Sequence, residues 1–76
     1  MSLQALIGER IRNLRETKNL TQEELAALAR SDAATLSRIE TGKQNLTAET
    51  LALYLIALNV TPKEFRQQGI RQQPND

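Results

Sequence analysis

Arg38 is the residue best placed to do directional chemistry, and its neighbours decide which kind. It falls in the stretch TQEELAALARSDAATLSRIETG, residues 21–42. Wound as a helix, residues 33–41 put Leu36, Ile39 and Glu40 on one side and Ala33, Ala34, Ser37, Arg38 and Thr41 on the other. The second side is small, polar and nearly free of acid. It holds no bond-making machinery. The sequence has no histidine and no cysteine, Ser37 has no base near it in sequence, and there is neither a Gly-rich phosphate loop nor a pair of carboxylates at a cleft. An enzyme is therefore not expected, and neither is a metal centre or a cofactor. Recognition by hydrogen bonds remains. A guanidinium meets guanine O6 and N7 bidentately, alanine and threonine methyls suit the thymine methyl, and serine bonds a base or a phosphate. The pattern marks Ala33, Ala34, Thr35, Ser37 and Arg38 as candidate base contacts, with the N-terminal end of their helix deepest in the groove.

That face has to be held by something, and the start and stop signals say what. Thr21 is an N-cap, Glu24 closes a capping box three residues on, and Leu20 and Leu25 flank them as a staple. Asp32 caps the next helix and Gly42 stops it. Before them, Leu3, Ile7, Ile11 and Leu14 recur at helical spacing, which predicts a first helix over Leu3 to Lys18 with Asn19 as a left-handed stop. After them, Thr47 starts a fourth helix through Leu58, stapled by Leu46 and Leu51. Thr61, Pro62 and Glu64 start a fifth, with Val60 against Phe65 and Gly69 at its end. The outcome is five short helices and no strand.

Composition narrows the rest. Seventy-six residues make one domain, and a chain this short buries only about 60% of its unfolded surface, so an oligomer would help it. Net charge is +1, from ten basic and nine acidic residues. Bulk charge alone therefore does not announce a polyanion partner. Distribution says more: Arg10, Arg12, Arg15 and Lys18 lie on the first helix and Lys43 follows the third. No apolar run approaches the roughly 20 residues of a membrane span, and no secretory signal is seen, so a cytoplasmic protein with no membrane partner is expected.

TQEELA, followed after a short turn by TLSRIETGK and later by TAETLALYLIALNVTPKEF, resembles the Cro/phage-repressor (XRE-type) helix-turn-helix family, over about Leu6 to Phe65. QNLT after the third helix and the short final helix are most similar to the small controller proteins of restriction-modification systems. The resemblance implies an all-α fold, a compact five-helix bundle of the lambda-repressor-like DNA-binding type, with the helix-turn-helix formed by helices two and three. The domain would span residues 1–70, with a disordered tail over 71–76. It implies a transcriptional regulator, repressor or controller, bound as a homodimer to a palindromic operator in double-stranded DNA. An antitoxin-type interaction module with secondary DNA binding is the alternative. There is no room for a ligand-sensing domain, so no small-molecule ligand is expected. Gln22 would meet a phosphate and buttress the reading helix. Thr41, Lys43, Gln44 and Asn45 would contact the DNA backbone, which positions without specifying. Glu40 falls on the inner face, where an unpaired carboxylate is costly, and the resemblance pairs it with Arg15. Family members commonly carry glycine and then an apolar residue in the motif turn. Arg30 and Ser31 stand there instead, and a left-handed Arg30 would cost about 1–2 kcal/mol.

The fourth helix has more apolar surface than one core uses. Leu51, Tyr54, Leu55 and Leu58 make the inward stripe. Leu53 and Ile56 lie on another side, and with Phe65 and Ile70 they are the expected dimer interface.

Overall fold

Every helix among the described residues starts at a side chain that gives a free backbone N–H its acceptor. The computed structural model describes residues 2–69, the last four by their backbone. The expectations for Ile70 and for the tail 71–76 lie outside these residues. Within them are five helices, α1 (Leu3–Thr17), α2 (Gln22–Leu28), α3 (Ala33–Glu40), α4 (Ala48–Leu58) and α5 (Pro62–Gly69). Ser2 Oγ accepts from the Ala5 N–H at 3.0 Å, Asp32 Oδ1 from Thr35 at 2.8 Å and Thr47 Oγ1 from Thr50 at 3.1 Å. Thr21 with Glu24, and Thr61 with Glu64, close reciprocal capping boxes. Each cap contributes about 1 kcal/mol, which matters for helices too short to persist alone.

The helix ends repeat a single device. Asn19, Arg30, Gly42 and Asn59 follow α1 to α4 with φ of 58°, 59°, 76° and 59°. At each, two N–H groups turn back onto carbonyls of the last turn, as in a Schellman motif. Only one of these four residues is glycine. Arg30 takes the left-handed conformation and its penalty, yet it donates to Ala27 at 3.2 Å while Ser31 donates to Ala26 at 2.7 Å. The motif turn is therefore closed in the ordinary way. Ser31 is half-buried, and burial pushes the Tyr54 phenol above its usual range.

Ile11, Leu25, Leu36, Ile39, Tyr54 and Leu58 are the fully buried centre, and Leu20, Leu46, Leu51 and Val60 pack against it as staples. Two features bring α1 unusually close to α3. A Cβ on Gly8 would collide with the Ile39 carbonyl oxygen, so the backbones cross at a distance only glycine permits. At the far end, Gln4 Nε2 donates to the Gly42 carbonyl at 2.6 Å. Arg10 departs from the expected basic surface. It is buried, with its guanidinium 5.9 Å from the centroid of the Phe65 ring.

Candidate nucleic-acid interface

Three helices converge on the Glu40 carboxylate. Arg15 donates from Nε to Oε2 at 2.7 Å and from Nη2 to Oε1 at 3.1 Å, and Gln22 Nε2 donates to Oε1 at 3.0 Å. Arg15 Nη1 also reaches the Leu20 carbonyl at 2.9 Å. The carboxylate holds the Arg15 guanidinium above its ordinary pKa, chiefly through this hydrogen bond. The Glu40 side chain is almost fully buried, so the junction is a fork-to-fork pair with a third donor rather than a surface ion pair. It fixes the last turn of α3 to the end of α1 and the start of α2. With the Gly8 crossing, it decides which face of α3 points outward.

That outward face is the one expected. Ala34, Arg38 and Thr41 are exposed, and Ala33, Thr35 and Ser37 are half-buried along its edge. In the loop after α3, Lys43 and Asn45 are exposed and Gln44 is half-buried. Two expected backbone contacts have other engagements. The Thr41 hydroxyl donates back onto the Ser37 and Arg38 carbonyls, at 3.0 and 3.2 Å. In the free chain its single proton is thus held within the helix. Gln44 turns its carbonyl oxygen onto Arg38 Nε at 2.8 Å. Gln22 keeps one side-chain N–H beyond the one given to Glu40, and this points to two tasks for one amide.

The basic residues of α1 divide. Arg15 is bound to Glu40, Arg10 is buried against Phe65, and Arg12 pairs with Glu16 at 3.2 Å on the surface. The first helix therefore offers less positive surface than its composition suggests. The expected self-association surface divides as well. Leu53 and Ile56 are 42% and 75% exposed. Phe65 is 6% exposed, because it fills the space between α1 and α5 under Arg10. Its burial takes Phe65 out of the interface expected for it. The Glu40 junction with Gln22, the Gln44 contact and the Gly8 crossing were not foreseen.

A family model described as helix-turn-helix matches residues 11–65. The chain belongs to the helix-turn-helix family. It is 31% identical over 72 residues to control protein C.SmaI of Serratia marcescens, covering 93% of this chain and 86% of that one. Its fold matches the restriction-modification controller protein C.Esp1396I, solved as a tetramer on its natural 35 base-pair operator, with a TM-score of 0.86. Identity is 30%, and 93% of this chain and 95% of that chain are covered. The clp gene regulator ClgR from C. glutamicum is also similar, with TM-score 0.86 and 28% identity over 91% of this chain and 88% of that chain. In this family member α2 and α3 are the helix-turn-helix, and the fold is the all-α five-helix bundle the sequence implied.

Proposed function

We propose that the chain is a cytoplasmic, sequence-specific DNA-binding transcriptional regulator of the restriction-modification controller kind, acting as a homodimer on a palindromic operator. The observation that carries this is the outward face of α3. It is small and almost acid-free, it presents one long donor, Arg38, and a buried junction holds it rigidly outward. Ala33, Ala34, Thr35, Ser37 and Arg38 would meet base edges; Lys43, Asn45 and the spare N–H group of Gln22 would meet phosphates. The extensive match to a controller protein solved on its operator supports the same reading. Arg38→Ala is expected to weaken the preferred duplex by about 1–3 kcal/mol and to relax one base position. Selection of bound sites from random duplexes, for parent and variant, checks this. An unchanged preference in the variant would remove Arg38 from the reading face.

Pairing of two copies rests on α4. Ile56 lines a shallow groove of about 240 Å³ together with Leu55, Asn59, Val60 and Thr61. A two-fold contact would use this same exposed patch on both copies. Such pairing would set two reading helices about one DNA turn (~34 Å) apart. Leu53→Lys combined with Ile56→Lys should give a folded monomer that binds a half-site weakly. Sedimentation showing that double variant still dimeric at micromolar concentration would place the interface elsewhere.

A further inference from the structure

Arg38 stands on an exposed face, yet its guanidinium is already tethered at two points. Gln44 Oε1 accepts from Nε at 2.8 Å and Thr35 Oγ1 accepts from Nη2 at 3.3 Å. Thr35 is itself fixed. Its hydroxyl donates to Asp32 Oδ2 at 3.1 Å, and its backbone N–H donates to Oδ1 at 2.8 Å. A hydroxyl has one proton and two lone pairs. With the proton on Asp32, only lone pairs face Arg38, so the chain of bonds from Asp32 through Thr35 to Arg38 has a fixed direction. The other tether is equally determined. The turn ending α3, with Gly42 at φ 76° and the Lys43 N–H on the Arg38 carbonyl at 2.9 Å, brings the chain back toward Arg38.

A guanidinium carries five coplanar N–H groups. It can meet a guanine side-on, through Nε and Nη2, or end-on, through Nη1 and Nη2. Gln44 occupies Nε. That closes the side-on fork, and the three N–H groups that remain, both on Nη1 and one on Nη2, lie at the end of the guanidinium. We propose that Gln44 is a positioning residue: by holding Nε it leaves Arg38 only its end-on edge, and so it sets the base preference of Arg38 without specifying a base itself. This rests on the DNA-binding reading above. A side chain held before binding also has less freedom to lose on the DNA.

The test uses the intact chain and the duplex it selects. The base position read by Arg38 is the one where Arg38→Ala loses preference. Binding is then measured on the selected duplex and on one changed at that base, for the parent, Gln44→Met, Gln44→Glu, Arg38→Ala and the Arg38→Ala, Gln44→Met pair. Gln44→Met keeps length but removes the acceptor. It should reduce discrimination at that position by roughly three- to tenfold while the melting temperature and salt slope stay at the parent's values. Added to Arg38→Ala it should change nothing further. Gln44→Glu keeps the acceptor, so it should retain the parent's preference while its negative charge weakens every duplex. If Gln44→Met weakens all duplexes alike, or has its full effect without Arg38, Gln44 meets DNA directly and the positioning role is wrong. A Gln44→Glu variant that also loses the preference overturns it too. A parent that selects no sequence is a different failure, that of the DNA-binding reading, and the positioning role falls with it.

Discussion

Glu40→Ala is expected to lower stability by about 3–5 kcal/mol, because it strands the donors of Arg15 and Gln22 with no carboxylate between them. A domain of this length has roughly 4–11 kcal/mol in total, so much of the population should be unfolded or close to it at moderate temperature. The geometry says why the loss is large. The Arg15 and Glu40 side chains are 11% and 2% exposed, which leaves little water to replace the missing partner. Arg15→Ala should be severe for the mirror-image reason, leaving a buried carboxylate with only the Gln22 amide. The double variant should lose less than the sum of the two. Thermal and urea melts of the three variants form the cycle. Simple additivity would mean that the two side chains, though touching, are energetically independent.

Gly8→Ala should be the second large effect, and in a direction opposite to helix propensity. Alanine in place of a helical glycine ordinarily gains about 1 kcal/mol. Here the added methyl meets the carbonyl of Ile39 and approaches the backbone of Glu40, neither of which is the end of a flexible side chain. The helices must separate, and overpacking of this kind costs about 1–3 kcal/mol or more. Separation would also pull Arg15 away from Glu40, so a net loss on the order of 2 kcal/mol is expected. A urea melt decides. A variant as stable as the parent would show that the α1–α3 crossing has slack.

What was legible in the sequence is local. Thr21 with Glu24, Asp32, Thr47, and Thr61 with Glu64 close their bonds within three residues, so residue type and spacing suffice to find them. Leu36, Ile39 and Glu40 against Ala34 and Arg38 follow from the helical period alone. The features that escaped join residues far apart. Gln22 meets Glu40 across 18 positions and Gly8 meets Ile39 across a greater span. Gly8 did leave a signal: a glycine inside an apolar-periodic helix is unfavourable unless a backbone passes close by. Arg10 left none, since a buried arginine over an aromatic ring reads in sequence like any surface cation. Phe65 was misassigned because a terminal aromatic fits a core and an interface equally well until the helix before it is placed. Gln44 lies only six residues from Arg38, but across a left-handed turn that reverses the chain, where helical spacing no longer says which side chains meet.

The short-range start signals also bear on time. Helical domains rich in local contacts fold within microseconds to milliseconds, and here each helix start is complete three residues after its cap has been synthesised. The crossing at Gly8 and the Glu40 junction must wait for α3 to exist. Translation of the chain is far slower than any of these events. A working reading face should therefore be present almost as soon as the chain is released. For the proposed homodimer, the delay between making the protein and occupying an operator would then be set by how often two copies meet, a quantity that rises with the square of their number.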